Sequence, residues 1–376
     1  MGNCIQNLAA GISLVAADNT WIEGNAIQQL QTTFRLEGMQ RVVGMPDLHP
    51  GRGYPVGAAF FSAGRLYPAL IGNDIGCGMS LWQTDLDAGK VNPDKLVKRL
   101  GNIDGPLDDS GQEQIAELAL PPTGFEASLG TIGGGNHFAE LQHIDTVYNA
   151  DVLPLQPKRL LLLVHSGSRG LGQLILRQHV DRFGHHGLMP DSDDCREYLQ
   201  QHATALRFAK ANRYLIALRM LERLRAEGQQ LLDVNHNLLQ PATIDGVDGW
   251  LHRKGASPAD AGPVVIAGSR GDYSYLVLPH ADPRSLQSVA HGAGRKWMRS
   301  ECKDRLAARY SVAQLARTSL GSRVVCQDRA LIYEEAPEAY KPVASIIEAL
   351  QGAGLVTPLA RLRPVLTYKT AGECCA

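Results

Sequence analysis

The sequence predicts an α/β fold, because strand-length apolar runs alternate with segments of helical periodicity. Residues 159–164 form an apolar run that ends in a Gly/Ser turn, and a helical pattern follows at 171–183. A second strand candidate at 263–271 also runs into a Gly/Ser turn, before another strand candidate at 273–278. Strand, glycine-rich turn and helix start are recurring ingredients of a phosphate-binding site.

The remaining elements follow from the same patterns. We predict a helix at 26–34, a strand at 81–86 and short helices within the polar stretch 87–128. The longest helix is predicted at 203–231, because apolar residues recur there near helical spacing: Leu206, Ala209, Ile216, Met220 and Leu224. Late in the chain, 333–340 is predicted as a loop and 363–369 as a last strand. No internal repeat or low-complexity linker divides the sequence, so we expect one domain over 1–376.

Composition limits the classes of function. The chain has 376 residues, of which 44% are hydrophobic and 20% charged, enough to bury a large core. A net charge of -1 means that nucleic acid must be bound by a local basic surface. Without a secretory signal or an apolar run of bilayer length, we expect a soluble cytoplasmic protein with no membrane contact.

Seven cysteines without a CxxC pair predict reduced thiols and argue against a disulfide framework. Cys374 and Cys375 are expected to belong to a frayed end.

Asp74 and Cys77 are the first candidate metal ligands. They stand three residues apart in a glycine-rich stretch. A carboxylate is a hard oxygen donor and a thiolate is a soft donor that can bridge two cations, so the pair suits a transition metal better than magnesium or calcium. A small buried cysteine is also common as a packing residue. The metal hypothesis is favoured by four histidines in glycine-rich or strand-terminal settings: His137, His165, His236 and His291.

Two of these histidines follow recognisable local patterns. A glycine run at 133–135 precedes Asn136 and His137, and such a run lets backbone N–H groups approach an anion, although plain hairpins contain similar runs. His165 ends the strand candidate at 159–164, a position that also suits a core histidine with one hydrogen bond.

Other polar segments have two interpretations each. The Gly/Pro-rich loop at 42–53 contains Asp47 and His49, which are candidates for orienting a metal ligand or for a turn with a surface histidine. A polar turn at 233–237 could deliver His236 to a site. The cations at 251–256 stand beside a turn, where a solvated basic loop is the alternative.

Farther along, three cations recur every fourth residue. On one helix, Arg295, Arg299 and Lys303 would form a stripe that holds phosphates, or a solvated face.

Taken together, the candidate ligands are sufficient for two adjacent divalent metals with the thiolate between them: Asp74, Cys77, His137, His165 and His236. His291 then lies in a glycine-rich loop that admits a bulky group. An imidazole beside metal-bound phosphate can act as a nucleophile.

These motifs resemble the RtcB family of RNA ligases, and the resemblance covers nearly the whole chain. The matching segments stand in the family's order: DIGCGM at 74–79, GGGNHFAE at 133–140, HSGSRG at 165–170, DVNHN at 233–237, HRKGA at 252–256, AHGAGR at 290–295, EAPEAYK at 335–341 and Lys369. The resemblance implies stacked mixed β-sheets with surrounding helices and a metal site at strand ends. It favours a shorter bacterial branch of the family.

The resemblance also implies roles for individual residues. Asp74, Cys77 and His137 would hold one Mn²⁺, while Cys77, His165 and His236 would hold the other. His291 would be the catalytic residue that takes up GMP from GTP. The guanylate would be held by residues from several segments, with Glu140 accepting from the N–H groups of guanine: Asn136, His137, Phe138, Ala139, Glu140, His236, Asn237, Ala267, Gly268, Ser269, Arg270, Ser274, His291, Gly292, Ala293, Gly294 and Lys369.

The implied activity is GTP-dependent joining of RNA 3′-phosphate or 2′,3′-cyclic phosphate ends to 5′-hydroxyl ends, in RNA repair or tRNA splicing. Two alternatives remain at this point: a metal-dependent phosphoesterase without ligation, and a non-catalytic RNA-binding protein. The sequence departs from the family at Arg270, in a turn usually written PGSMG, and at Thr370, where glycine is usual. Oligomeric state and any helper protein are left open.

Overall fold

The structure is a computed structural model that describes residues 4–372, so Cys374 and Cys375 lie outside the described residues. Sixteen strands are described: β1 Ile5–Ala9, β2 Ile12–Val15, β3 Met39–His49, β4 Val56–Ser62, β5 Gly78–Asp87, β6 Phe138–Val147, β7 Arg159–Ser166, β8 Gly228–Asn235, β9 Asn237–Ile244, β10 Val247–Lys254, β11 Ala256–Pro258, β12 Val264–Ile266, β13 Ser274–Pro279, β14 Ser288–Ala290, β15 Arg323–Cys326 and β16 Val356–Thr370. The described α-helices are α1 Gly24–Phe34, α2 Pro93–Leu100, α3 Asp109–Glu117, α4 Gly170–Phe183, α5 Asp193–Leu224, α6 Arg299–Leu306, α7 Val312–Leu315, α8 Arg329–Glu334 and α9 Val343–Gly352.

The strands form mixed sheets, and the predicted α/β class is confirmed. One sheet has the order β1-β2-β3-β4-β10-β9, and a larger one has the order β12-β13-β16-β6-β7-β5-β8, with β15 paired to β16. Strands β11 and β14 form a separate pair. The larger sheet matters most for function, because β5, β6, β7 and β8 are neighbours in it although they are far apart in the chain.

Helix α5 covers the larger sheet and supplies much of its core. Ile216, Met220 and Leu224 are fully buried and pack with Leu160 and Leu162 of β7. Truncating one such side chain to alanine typically costs about 2–5 kcal/mol. The helix therefore anchors the strands that carry the candidate ligands.

The sequence placed the ends of α5 incorrectly. Ser192 caps the helix by accepting the backbone N–H of Cys195, so the helix begins ten residues before the predicted 203. Arg225 adopts a left-handed conformation (φ 54°, ψ 52°) and ends it. The predicted last helical turn, at 228–231, is instead the start of β8. The predicted polar turn at 233–237 is the junction of β8 and β9.

Three other local predictions differ from the structure in part. The segment 42–53 was expected as a loop but lies largely in β3, because pairing with β2 and β4 outweighs its Gly and Pro content. The cations of 251–256 lie in or next to β10, and Arg253 is fully buried rather than solvated. In 333–340, α8 ends at Glu334 and a 3₁₀ turn follows at Pro337–Ala339.

The remaining element predictions agree with the structure within a few residues. The helices at 26–34 and 171–183 correspond to α1 and α4, and the predicted last strand at 363–369 is the C-terminal half of β16. Over residues 4–372, no helix combines the length and apolarity needed to cross a membrane.

Candidate functional site

Five candidate ligands meet where neighbouring strands of the larger sheet begin or end. Cys77 precedes β5, His137 precedes β6, His165 lies near the end of β7, and His236 lies between β8 and β9. The antiparallel register pairs Met79 with His165, Phe138 with His165, and Gly78 with Asn235. Strand pairing therefore brings side chains from four distant segments of the chain into one cluster.

The donor atoms form two overlapping groups that share Cys77. Asp74, Cys77 and His137 make one group, while Cys77, His165 and His236 make the other, with ligand atoms within 4.8 Å of one another in each. Cys77 Sγ lies 3.4 Å from His137 Nε2 and 3.2 Å from His165 Nε2. His165 Nε2 lies 3.3 Å from His236 Nε2, and His137 Nε2 lies 2.7 Å from Asp74 Oδ2.

This arrangement fits a metal cation. His137 Nδ1 faces the Ile132 carbonyl oxygen at 3.2 Å, and a proton held there would free Nε2, 2.7 Å from Asp74 Oδ2, to offer its lone pair to a metal. Burial lowers the pKa values of His165 and His236 well below their ordinary range, so their rings are neutral as ligation requires. A bound cation would replace the protons that otherwise bridge these donor atoms.

The acidic members of the cluster have shifted pKa values. Burial, reinforced by Asp74, raises the pKa of the Cys77 thiol well above its usual value. Burial also raises the pKa of Asp74, but the neighbouring His137 outweighs that effect, so the net pKa of Asp74 is lowered. A bound cation favours the thiolate over the thiol. The space around Asp74 is closely fitted, since a Cβ at Gly167 would lie 2.1 Å from Asp74 Oδ1.

His291 lies beside this cluster. Its ring centroid is 4.7 Å from that of His236, and its Nδ1 is 2.7 Å from Asp47 Oδ2. The same carboxylate oxygen accepts the backbone N–H of His291 at 3.3 Å. The sequence suggested that Asp47 and His49 orient a metal ligand, whereas the structure places Asp47 behind His291 and turns His49 Nδ1 toward the Asp47 carbonyl oxygen at 2.8 Å.

A cavity of about 1150 Å³ opens above the cluster and His291. All five candidate ligands line it, as do most residues predicted to hold a nucleotide: Asn136, Phe138, Glu140, Asn237, Ala267, Gly268, Ser269, Arg270, Gly292, Ala293, Gly294 and Lys369. Ala139 is not among the lining residues; it is buried in the apolar core beside β7. Ser274 is also outside the lining and acts on it through Gly268, whose N–H its Oγ accepts at 3.2 Å.

The cavity lining carries more cations than anions, which favours a ligand with negative charge. Its carboxylates are Glu23, Asp74, Glu140 and Glu335. Its cations are Arg52, Arg169, Lys254, Arg270, Arg295, Lys296, Arg299 and Lys369.

Glu140 is held in place at the cavity wall. It accepts hydrogen bonds from the Thr367 hydroxyl and, at 2.7 Å, from Gln142 Nε2. Gln142 also donates to Ser274 Oγ at 3.2 Å. Burial raises the pKa of Glu140 to about 7, against the opposing effect of these hydrogen bonds and of Lys369. The carboxylate is therefore fixed in orientation, and its charge changes near neutral pH.

Glu335 is a site residue that the sequence did not single out, although it begins the EAPEAYK segment. Its carboxylate pairs with Arg295 at 3.1 Å, with Lys369 at 3.2 Å and with Arg299, and it accepts from the Tyr340 hydroxyl at 2.7 Å. Burial raises the pKa of Glu335, but its cationic neighbours reverse the effect and hold the pKa well below its usual range.

The predicted cationic stripe of Arg295, Arg299 and Lys303 is therefore wrong. Arg295 precedes α6, and Arg295 and Arg299 converge on Glu335 instead of forming one face of a helix.

The two departures from the RtcB pattern lie in different places. Arg270 lines the cavity and donates from Nη2 to the Ile332 carbonyl at 2.8 Å. Thr370 lies outside the cavity lining and donates to Asp104 Oδ2 at 2.8 Å. Of the two, only Arg270 is placed where it could affect a cavity ligand directly.

A second unpredicted residue, Arg213, lies behind the cluster on α5 and is fully buried. The sequence does contain a signal for it, because position 213 falls on the apolar stripe formed by Ala209, Ile216 and Met220. A cation on such a stripe indicates a buried partner.

The fold and the cluster define a metal-site protein whose site opens into a cationic cavity. The chain belongs to the RtcB family: the family model described as tRNA-splicing ligase RtcB matches residues 29–119 and 105–370. The chain is 56% identical over 375 residues to the RNA-splicing ligase RtcB2 of Escherichia coli, covering 99% of both chains. It is 30% identical to the RNA-splicing ligase RtcB of Mycobacterium bovis, covering 85% of this chain and 95% of the relative. It is 29% identical to the tRNA-splicing ligase RtcB of Nanoarchaeum equitans, covering 95% and 93%. The resemblance seen in the sequence is thus confirmed.

Proposed function

We propose that this protein is an RNA ligase that joins RNA 3′-phosphate or 2′,3′-cyclic phosphate ends to 5′-hydroxyl ends, with GTP as co-substrate. The observation that carries the proposal is the position of His291, between the buried Asp47 carboxylate and the ligand cluster, in the wall of a cationic cavity. The names of the relatives, which are RNA-splicing and tRNA-splicing ligases, support it. RNA repair and tRNA splicing are both compatible roles.

In the first step, Nε2 of His291 attacks the α-phosphorus of GTP, a P–N bond forms and pyrophosphate leaves. Asp47 supports this step because a carboxylate beside Nδ1 favours the tautomer whose proton is on Nδ1 and whose lone pair is on Nε2. Glu140, fixed by Thr367 and Gln142, would accept from the guanine N–H groups.

In the second step, an oxygen of the RNA 3′-phosphate attacks the phosphorus held by His291. The P–N bond breaks, and GMP becomes linked to the RNA end through a diphosphate. Any 2′,3′-cyclic phosphate is first opened by hydrolysis. In the third step, the 5′-hydroxyl attacks the RNA phosphorus, the phosphodiester forms and GMP leaves. The cations of the cavity wall would hold the phosphates in place for these exchanges.

We further propose that the cluster holds two Mn²⁺, with Asp74, Cys77 and His137 on one side and Cys77, His165 and His236 on the other. When bound, the metals would supply Lewis-acid stabilisation of charge on phosphate oxygens. A single domain over 1–376 and a cytoplasmic location also remain predictions.

Labelling of the protein with GTP tests the role of His291. The wild-type protein and the His291→Ala variant are incubated with Mn²⁺ and GTP radiolabelled at the α-phosphate, then denatured and separated by electrophoresis. We expect label on the wild-type protein and none on the variant. His179→Ala is a matched control, because His179 is equally buried but packs against Phe183 and Tyr198 away from the cavity. Label that persists on His291→Ala would refute the assignment.

A ligation assay tests the reaction itself. A cyclic-phosphate RNA and a 5′-hydroxyl RNA are mixed with protein, Mn²⁺ and either GTP or ATP. A joined product with GTP alone supports the proposal. Hydrolysis of the cyclic phosphate without GTP, with no joined product and no protein-bound GMP, would favour the phosphoesterase alternative instead.

A further inference from the structure

Arg213 uses its whole guanidinium within the protein interior. Its Nε donates to Asp233 Oδ2 at 3.0 Å, and Nη2 donates to Asp233 Oδ1 at 2.6 Å and to Asn235 Oδ1 at 2.7 Å. Its Nη1 donates to the Gly76 carbonyl at 2.7 Å and to the Ser166 carbonyl at 3.0 Å. A guanidinium has five N–H donors, so every one is engaged.

The acceptors are next to ligand residues in sequence. Gly76 precedes Cys77, Ser166 follows His165, and Asn235 precedes His236. One rigid planar group therefore ties together the backbone or side chain beside each member of the Cys77, His165 and His236 group. Asp233 orients the guanidinium by a two-point ion pair and is itself in β8.

The other ligand group is supported by the residue before it on α5. Asn212 accepts the Gly130 N–H at 2.8 Å and donates to the Thr131 carbonyl at 3.3 Å, in the loop that leads to His137. Asn212 also donates to Ser166 Oγ at 3.0 Å and to the Gly167 carbonyl at 3.3 Å, so it contacts both halves of the cluster, whereas the acceptors of Arg213 lie only beside Cys77, His165 and His236. The effects of replacing Arg213 should fall mainly on the half that contains His165 and His236.

We propose that Arg213 is a positioning residue that holds Cys77, His165 and His236 ready to bind a metal. This inference rests on the proposed metal site. Cys77, His165 and His236 come from three separate segments, yet their donor atoms lie 3.2–3.3 Å apart, so the surrounding structure must hold those segments together. Arg213 does this through hydrogen bonds that reach three segments at once. A lysine in its place keeps the charge but cannot reproduce the planar fork.

The experiment measures Co²⁺ binding by absorption, including the thiolate-to-cobalt charge-transfer band, rather than catalysis. Wild-type protein, Arg213→Lys and a control variant Arg253→Lys are titrated with Co²⁺ after circular dichroism has confirmed that each is folded. Arg253 is a matched control, because it is also fully buried but donates to Ser288 Oγ and the Gln287 carbonyl, away from the ligands. We expect about 10–100-fold weaker binding of one Co²⁺ equivalent in Arg213→Lys, as is usual when a group that orients metal ligands is lost. Arg253→Lys should bind within about twofold of wild type.

A second variant keeps the test valid if Arg213→Lys does not fold. Asn235→Ala removes a single acceptor of Arg213 beside His236, and we expect it to weaken the same Co²⁺ equivalent several-fold. Co²⁺ affinities and spectra equal to wild type in the folded variants would overturn the inference while leaving the metal site intact. Wild-type protein that shows no thiolate-to-cobalt band would instead refute the metal site itself, and the inference with it.

Discussion

His291 Nδ1 lies 2.7 Å from Asp47 Oδ2, although the two residues are 244 positions apart in the chain. The Asp47 side chain is fully buried and is not part of the cavity lining, whereas His291 is. The carboxylate is therefore placed to act on the cavity only through the imidazole. This relationship leads to the first two predictions.

Replacing Asp47 with asparagine should slow the transfer of GMP to His291 by about 10²–10⁴-fold, the range over which positioned acid–base groups act. The amide removes the negative charge that favours a proton on Nδ1 of His291, so the tautomer with its lone pair on Nε2 is no longer favoured. The measurement is the rate of label transfer from GTP to protein. Affinity for GTP should stay within about threefold of wild type, and a variant with normal transfer rate would contradict the role of Asp47.

Lys341 should affect the same step more weakly. Its Nζ donates to the carbonyls of Pro46 at 3.0 Å and Leu48 at 2.9 Å, on both sides of Asp47. In Lys341→Met, two buried acceptors lose their donor, at a cost of about 1–3 kcal/mol each. We expect a transfer rate reduced about tenfold with GTP affinity little changed. A folded variant that is less stable but transfers GMP at the normal rate would limit Lys341 to a structural role.

GTP binding should depend on pH through Glu140, whose pKa is raised by burial to about 7. The charged carboxylate accepts from guanine, so affinity should be full above this pKa and fall by up to about tenfold per pH unit below it. The measurement is the Kd for GTP at several values between about pH 5.5 and pH 8.5. Glu140→Gln should bind GTP weakly at every pH and discriminate less against ATP. An unchanged pH profile in that variant would exclude Glu140 as the titrating group.

The raised pKa of Glu140 also affects the stability of the folded protein. Because the folded pKa of Glu140 lies above its ordinary value of 4.5, the folded state binds more protons than the unfolded state between these two pH values. Glu140 therefore favours folding at low pH, and this contribution is lost as pH rises toward about 7.

Removing metal should lower the thermal stability of the protein. A ligand that binds only the folded state stabilises it by about 2.7 kcal/mol at 100 times its Kd. We expect dialysis against a chelator to lower Tm by a few degrees and Mn²⁺ to restore it. Cys77→Ala should lose this response, while Cys195→Ala should keep it, since Cys195 is buried in the core beside α4 and is not a ligand candidate. Equal responses in both variants would argue against Cys77 as the shared ligand.

Glu335→Gln should destabilise the protein by about 3–5 kcal/mol, the usual cost of removing one partner of a buried ion pair. The replacement leaves Arg295 and Lys369 without a carboxylate partner, and leaves Arg299 with only Glu334, at 3.5 Å. Urea unfolding measures the free-energy change. Asp194→Asn is the exposed comparison, because its pair with Arg182 is solvated and should contribute less than about 1 kcal/mol. A loss of similar size in both variants would contradict the importance of Glu335.

Part of the site could be predicted because it is local. Asp74 and Cys77 are close in the chain, and His137, His165 and His236 each stand at a strand end or in a polar turn. These residue types favour metal ligation by oxygen, nitrogen and sulfur. The sequence could also place helices and strands with strong periodicity, such as α4 and the C-terminal half of β16.

Errors occurred where long-range contacts overrode local preference. The segment 42–53 has the composition of a loop, but pairing with β2 and β4 makes it a strand. Arg295 and Arg299 have helical spacing, but they do not share one helix face. Both instead form ion pairs with Glu335. Arg213 was read as part of a helix and not as a contact to three ligand-bearing segments.

The sequence by itself determined the fold class, the family and the set of donor atoms, because these depend on residue type, periodicity and motifs of a few residues. Only the tertiary structure decided which donors meet, that Asp47 supports His291, and that Arg213 and Glu335 hold the walls of the site. The physical reason is that strand register and the packing of α5 bring together residues from distant parts of the chain, and no local pattern encodes those pairings.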